Sequence, residues 1–192
     1  MADRDVPSAA DLAGVSETAL MTLYNRGTEA GRPDALISDP LAARLLAGVD
    51  YPFAERFGRP DLSHVLRAVQ FDAEVRRFLR DRPGGTVVAL GEGLETQFWR
   101  VDNGTVRWLT VDLPEIVEQR RRLLPAEERN QLFAGSAFDP DWHPGIREVR
   151  VLDVPRGRGF GWGVGYPAMA RLPVLRGLLP MTVALRFQPK VH

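Results

Sequence analysis

The stretch TVVALGEGLETQFWRVDNGTVRWLTVDLPE, residues 86–115, decides the fold class of this chain. Its first five residues, TVVAL, are β-branched or apolar on both faces, which predicts a buried parallel strand over 86–90. RWLTVD predicts a second strand over 107–112, and ETQFWRVD between the two strands predicts a short helix. We therefore expect two adjacent parallel strands joined by a helical crossover.

The pattern continues on the carboxyl side of these strands. Pro114 suits the first position of a helix, and QLFAGSAFD predicts a third, weaker strand. Strand, helix, strand, helix, strand is typical of an α/β fold with a parallel sheet and right-handed crossovers. This middle part of the chain corresponds to half of a doubly wound sheet.

Helices are predicted before the sheet, and two further strands after it. Ser16 can cap a first helix that ends at Gly31, Asp39 followed by Pro40 begins a second, and the apolar spacing over 63–79 indicates a third. Near the end, EVRVLDV and MTVALRF predict two strands without a long helix between them, which favours an antiparallel pair. We expect one domain over 1–192, made of a helical part (1–82), a cofactor-binding part (83–142) and a strand-loop-strand part (143–192).

Composition excludes several classes of protein. The chain has 192 residues, 44% of them hydrophobic and 26% charged, which is usual for a soluble globular domain. It has no cysteine, so disulfides and thiolate metal sites are excluded, and its three histidines lack ligand spacing, so we expect no metal. The beginning, MADRDVPSAAD, does not resemble a signal peptide, and no apolar run approaches the roughly 20 residues of a membrane span. A cytoplasmic location is expected.

Basic residues are concentrated near the end of the chain. Residues 143–192 carry 8 Lys and Arg against 2 acids, and they include the segment RGRGFGWG at 156–163. An arginine-glycine segment can bind single-stranded nucleic acid by charge and stacking. The flanking strands and the zero net charge of the chain favour a structural loop instead. We expect neither nucleic acid nor a membrane as a partner.

The glycine turn after the first strand suggests a ligand. Gly91 and Gly93 let the backbone approach a bound molecule, and the following helix would point N–H groups at it. Asp112 ends the second strand, where its carboxylate can accept hydrogen bonds from ribose hydroxyls. Glu92 would repel a pyrophosphate, whereas the sulfonium of S-adenosylmethionine tolerates nearby Glu92 or Glu95, so that cofactor is the leading candidate. An ordinary βαβ turn with an aspartate before Pro114 explains the same spacing equally well.

Longer segments carry a more specific resemblance. SETALMTLYNRGTEAGRPDALISDPLAARL, VLRAVQFDAEVRRFL, VVALGEGLETQFWRVDN, TVDLPEIVEQRRRLL and SAFDPDW together resemble the leucine carboxyl methyltransferase family, including bacterial polyketide O-methyltransferases. The resemblance covers most of residues 15–142 in order. It implies a shortened Rossmann-like fold of S-adenosylmethionine-dependent methyltransferases, with N-terminal helices and a C-terminal antiparallel strand pair.

The resemblance also implies roles for particular residues. It places Gly91 and Gly93 against the methionyl part of S-adenosylmethionine, Asp112 on the ribose, and 136–139 around the adenine. Arg67 matches an arginine that pairs with the carboxylate of the cofactor, for which a guanidinium offers a two-point match. The cofactor-binding residues implied in this way are Arg67, Gly91, Gly93, Asp112, Leu113, Ser136, Phe138 and Asp139. The catalytic residues stay unknown.

The sequence departs from the family in two places. The glycine turn contains Glu92 and Gln97 where the family usually has alanine and arginine. SAFDPDW also runs almost directly into PGIREVRVLDV, where the family places its fourth and fifth strands and the segment that lines the acceptor pocket, so an internal block after residue 142 is expected to be missing. The expected function is methyl transfer to a carboxyl or hydroxyl group of a small, polyketide-like molecule. The alternative is an inactive relative that serves as a binding or dimerising module, through strand edges left open by the missing block.

Overall fold

The first four helices precede the sheet. The computed structural model describes residues 17–135, 146–152, 157–158, 164 and 182–187, with the backbone alone for 146–152 and 182–187. The helices are α1 (Glu17–Ala30), α2 (Pro40–Ala47), α3 (Phe53–Phe57) and α4 (Leu62–Asp81). The prediction for α2 is confirmed, because Asp39 accepts the Ala42 N–H at 3.0 Å and Pro40 takes the first helical position. The short helix α3 was not predicted, and Ser16 lies outside the described residues.

The predicted strand and helix alternation in the middle of the chain is confirmed. Its elements are β1 (Thr86–Leu90), α5 (Gln97–Val101), β2 (Arg107–Asp112), α6 (Pro114–Leu123) and β3 (Asn130–Ala134). The three strands form one parallel sheet in the order β1-β2-β3. Both predicted strands therefore have the predicted bounds, and the carboxyl ends of β1 and β2 meet at one edge of the sheet.

One face of this sheet is covered by helices. Val87 and Ala89 of β1 lie opposite Trp108 and Thr110 of β2, so these four side chains share a face. Trp108 packs there in a cluster with Leu79 of α4 and with Phe98 and Val101 of α5. Helix α6 reaches the same side, because Arg120 pairs with Glu92 and Glu92 accepts a hydrogen bond from Thr110.

The opposite face corrects one expectation. The sequence predicts that β1 is buried on both faces, but Val88 and Leu90 are 48% and 40% exposed, and Phe133 of β3 is 58% exposed. Register places Leu90, Val111 and Phe133 in one cross-strand row and Val88 beside Leu109 in the next. The prediction was wrong because the apolar side chains of a strand only permit burial on both faces. Which face of the sheet is actually covered depends on where the crossover helices lie.

The late strands form a sheet of their own. β4 (Ile146–Leu152) pairs antiparallel with β5 (Thr182–Phe187), and the register shifts between Ile146 and Glu148. No hydrogen-bonded ladder joins this pair to the parallel sheet within the described strands. None of the described helices combines the length and the apolarity that crossing a membrane requires.

Helix α1 connects the N-terminal helices to the glycine turn. A Cβ on Gly27 would lie 2.8 Å from the Ala42 carbonyl oxygen, so a glycine lets α1 and α2 pack closely. Leu20 and Leu23 of α1 share a buried cluster with Leu94, which lies in the turn after β1. The turn is therefore held against α1 as well as against the sheet.

Candidate functional site

The turn after β1 requires both of its glycines. Gly91 and Gly93 have φ angles of +60° and +57°, in the left-handed region that other residues rarely adopt. The Gly91 N–H donates to the Val111 carbonyl at 2.9 Å, which continues the β1–β2 pairing into the turn. Apart from the two chain neighbours of Gly91, no described atom lies within 4 Å of a Cβ built on it, so there is space beside its backbone, whereas a Cβ on Gly93 would lie 3.0 Å from the Cβ of Ala19.

Asp112 lies directly against this turn. Its Oδ2 accepts the Gly93 N–H at 2.7 Å, and its Oδ1 accepts the Leu113 N–H at 2.8 Å. The parallel pairing of β1 and β2 brings these residues together, because Gly93 follows the end of β1 and Asp112 ends β2 at the same edge of the sheet. A carboxylate offers about four lone-pair positions, so both oxygens of Asp112 keep capacity for further donors. The residues that the glycine spacing and the strand end predicted do meet in space.

Glu92 does not face this space. Its side chain is 5% exposed, and its Oε2 accepts the Thr110 hydroxyl at 2.6 Å and lies 3.2 Å from Nη2 of Arg120. Burial raises the pKa of the Glu92 carboxyl, although the charge of Arg120 and the hydrogen bond from Thr110 act in the opposite direction. The sequence predicts that the charge of Glu92 lies close to a ligand at the turn, whereas in the structure this carboxylate pairs with Arg120 on the helix-covered side of the sheet.

Glu95 is also turned towards arginines. Its Oε2 lies 3.0 Å from Nη1 of Arg26, and its Oε1 accepts from Nη1 of Arg100 at 2.6 Å. Although burial disfavours the charged form, the charges of Arg26 and Arg100 lower the pKa of Glu95 to about 2, with help from the Thr96 N–H. The sequence predicts that a sulfonium would tolerate Glu95 nearby, and in the structure the charge of Glu95 is balanced inside the protein by Arg26 and Arg100.

A buried network of charges extends from Glu95. Arg100 also binds Asp39 at 2.7 Å and Asp72 at 2.8 Å, and all three side chains are at most 4% exposed. Thr96 completes the network by donating its hydroxyl to Asp39 at 2.6 Å. The sequence alone does not predict this network. One feature of the sequence does point to a buried charge, because Asp72 lies within the apolar stripe of α4. The stripe does not show that Arg100 is the residue that pairs with it.

Carbonyl oxygens of the turn are bound by two arginines. Arg120 donates through Nη1 to the Gly93 oxygen at 2.7 Å and to the Glu95 oxygen at 2.9 Å. Arg26 donates through Nη2 to the Leu94 oxygen at 2.9 Å. The run of three arginines at 120–122 predicts a solvated helix face, although Arg120 falls on the apolar stripe of α6. The prediction is wrong for Arg120, which is 1% exposed.

The other predicted site residues are distributed as follows. Arg67 is exposed on α4, and its guanidinium takes part in no hydrogen bond or ion pair between described residues. Leu113 precedes α6 with its side chain 50% exposed. Ser136, Phe138 and Asp139 lie outside the described residues.

Two expectations concern other classes of ligand. In the described part of the chain, no three His, Cys, Asp or Glu side chains are grouped so that they would hold a metal ion.

In the segment RGRGFGWG only 157–158 are described, and there the Arg158 guanidinium binds the Glu29 carboxylate and lies 3.4 Å from Asp34. This contact favours the structural interpretation of that arginine over nucleic-acid binding.

Comparison with known proteins identifies the family. A model of the leucine carboxyl methyltransferase family matches residues 19–132. The tetracenomycin polyketide synthesis O-methyltransferase of Streptomyces glaucescens is 35% identical over 134 residues, which are 68% of this chain and 50% of that protein. An S-adenosyl-L-methionine-dependent methyltransferase of Gibberella zeae is 29% identical over 161 residues, 77% of this chain and 53% of that protein.

The family match begins within α1 and ends within β3, so it includes the glycine turn and Asp112. The chain spans about half the length of these curated relatives. The family and the name of the Gibberella zeae relative indicate S-adenosylmethionine as the cofactor. The chain belongs to the leucine carboxyl methyltransferase family.

Proposed function

We propose that this chain is an S-adenosylmethionine-dependent O-methyltransferase that acts on a carboxyl or hydroxyl group of a small, polyketide-like molecule. The observation that carries the proposal is the contact between Asp112 and Gly93, beside the space at Gly91. The polyketide relationship comes from the name of the Streptomyces relative, which is a polyketide synthesis O-methyltransferase.

The site residues have separate roles in this proposal. Gly91 and Gly93 let the backbone approach the methionyl part, and Asp112 accepts the ribose hydroxyls with its remaining lone pairs. Arg67 has no described partner and would pair with the cofactor carboxylate, while Leu113 contributes apolar surface near the ribose. Ser136, Phe138 and Asp139 would surround the adenine, as the sequence resemblance implies. The space at Gly91 and the free capacity of Asp112 fit such a cofactor.

The proposed reaction depends mainly on how the protein positions the acceptor and the methyl donor. S-adenosylmethionine would supply a methyl group on a cationic sulfur, and the protein would hold an acceptor oxygen in line with that group and exclude water. A carboxylate acceptor needs no general base, whereas a phenol does. No residue of this chain is assigned as a catalytic residue.

Titration calorimetry with S-adenosylhomocysteine tests the binding step. We expect the Asp112→Ala variant to bind at least about tenfold more weakly, because hydrogen bonds to a charged acceptor are lost. Glu115→Ala is the matched control, since Glu115 is an exposed acid three residues away, at the start of α6. Absence of both heat and a thermal shift at millimolar ligand, or equal affinities of the wild type and Asp112→Ala, would contradict the proposed function.

A second candidate function is supported by the exposed apolar face of the parallel sheet. Val88, Leu90 and Phe133 lie on that face, and no helix in the described part of the chain covers it. An inactive relative that dimerises through this face would keep the fold without methyl transfer. Transfer of a labelled methyl group to any carboxyl or phenol acceptor would favour the first candidate over the second.

A further inference from the structure

The glycine turn has three consecutive carbonyl oxygens that accept hydrogen bonds from buried guanidinium groups. Arg120 binds the oxygens of Gly93 and Glu95, at 2.7 and 2.9 Å, and Arg26 binds the oxygen of Leu94 between them, at 2.9 Å. The two arginines come from different elements, α1 and α6, and are 2% and 1% exposed. The turn is therefore fixed from two sides.

Each arginine also pairs with an acidic side chain of the same turn. Arg120 lies 3.2 Å from Glu92, and Arg26 lies 3.0 Å from Glu95. A guanidinium has several donors in one plane, so it can bind carbonyls and a carboxylate at the same time. The carbonyls and both carboxylates are consequently engaged within the protein.

The N–H groups of the turn show what this arrangement achieves. The Gly93 N–H donates to Asp112, the Glu95 N–H to the Glu92 carbonyl, and the Thr96 N–H to the Glu95 carboxylate. Removing an arginine would leave buried carbonyl oxygens without their donors and would free the peptide planes that orient these N–H groups.

We propose that Arg26 and Arg120 are positioning residues for the cofactor turn, which they hold in its binding conformation before any ligand arrives. The inference rests on the proposed function, because it assigns a purpose to the same site. A preformed turn does not have to be ordered on binding, so less binding free energy is lost. If Arg120 had a purely structural role, it would hold α6 against the sheet. Its loss would then affect the turn no more than the loss of another buried contact of α6.

Hydrogen exchange in the absence of ligand tests the proposal independently of activity. We expect the amides of Gly93, Glu95 and Thr96 to exchange at least about tenfold faster in Arg120→Met than in the wild type, because the local opening costs less free energy. Val117→Ala is the matched control, since Val117 is fully buried on the same helix and has no hydrogen bond to the turn. When the two variants are compared under conditions in which they have the same global stability, Val117→Ala should change the exchange rates of these three amides by no more than about twofold.

Binding of S-adenosylhomocysteine provides the second measurement. Arg120→Met and Arg26→Met should each raise the Kd by at least about tenfold, and Val117→Ala by no more than about twofold. Should Arg120→Met fail to fold, Arg120→Lys replaces it, because lysine keeps the charge but loses the planar fork, and the same thresholds apply.

The two proposals fail in different ways. Unchanged exchange rates in the arginine variants, or equal effects of Val117→Ala, would overturn the positioning role whatever the ligand does. A wild-type protein that does not bind S-adenosylhomocysteine would overturn the proposed function, while the exchange rates would still show whether the arginines hold the turn.

Discussion

At the scale of single residues, the glycine turn contains two acids that have opposite electrostatic environments. Glu92 lies with Thr110 and one arginine, and burial raises its pKa, whereas Glu95 lies between two arginines and its pKa falls to about 2. The difference follows from the number of guanidinium groups within contact distance, because each charge that faces the carboxylate offsets part of its lost hydration. Two glutamates three residues apart therefore have different effects on stability.

Glu95 should make the stability of the protein depend on pH. Its folded-state pKa of about 2 is below the usual 4.5, so its contribution is present above about pH 4.5 and is lost as the pH falls towards 2. Urea unfolding should show that the gap in unfolding free energy between wild type and Glu95→Gln shrinks by about 2 to 3 kcal/mol over that range. A gap that stays constant with pH would contradict this. Glu115→Gln controls for the exchange of an acid for an amide at an exposed position.

At the scale of secondary-structure elements, two helices begin with aspartate caps in different surroundings. Asp39 caps α2 and is 1% exposed, and its Oδ2 also accepts from Thr96 and Arg100. Asp61 caps α4 by accepting the Ser63 N–H at 2.7 Å, and it is exposed. The first cap thus joins a helix end to the residues that follow the glycine turn, whereas the second serves its own helix.

The two caps should differ in their cost of removal. Asp39→Ala leaves the buried Arg100 without one of its carboxylates, so we expect a loss of about 3 to 5 kcal/mol in unfolding free energy. Asp61→Ala removes an exposed cap and should cost about 1 kcal/mol. Chemical denaturation of both variants at neutral pH measures the difference. Equal losses would mean that the buried network around Asp39 adds nothing beyond capping.

At the scale of the whole molecule, the described helices cover one face of the parallel sheet, and the other, open face has no described helix on it. The helices α4, α5 and α6 all contact the side of Trp108 and Thr110. On the other side Val88, Leu90 and Phe133 are 40–58% exposed, although Val111 between Leu90 and Phe133 is buried. Exposed apolar side chains grouped on one face are usual where another surface binds. For the second candidate function, the occupant is a second copy of the same chain.

Analytical ultracentrifugation tests this occupant. The dimer candidate requires the wild type to associate as its concentration rises, and Phe133→Lys should weaken this association by at least about tenfold, because a charge would be buried at the contact. Phe71→Lys is the matched control, since Phe71 is a 38% exposed phenylalanine on α4, away from the open face. A wild type that sediments as a monomer at every concentration would contradict the dimer candidate.

Much of the fold follows from local sequence. The change from helical to strand periodicity at 86–90, the helix starts at Pro40 and Pro114, and the bounds of β1 and β2 are all properties of short segments. The proximity of Asp112 to the glycine turn was also predictable, because parallel strands with a short crossover bring the end of β2 next to the turn after β1. The family resemblance rests on those same segments, and the family match confirms it.

Tertiary structure decided the partners of the charges and the coverage of the sheet. Arg26 binds the Leu94 carbonyl 68 residues away, and Arg100 binds the Asp39 carboxylate 61 residues away. Contacts between residues so far apart in the chain cannot be predicted from the local hydrophobic pattern. Arg120 and Arg121 are neighbours in one arginine run, yet the first is buried against the turn and the second is exposed. Likewise, β1 is apolar on both sides, but the two crossover helices and α4 cover the same face. The sequence by itself determined which elements form and in what order, because that depends on neighbouring residues, whereas burial and charge pairing depend on which distant elements meet.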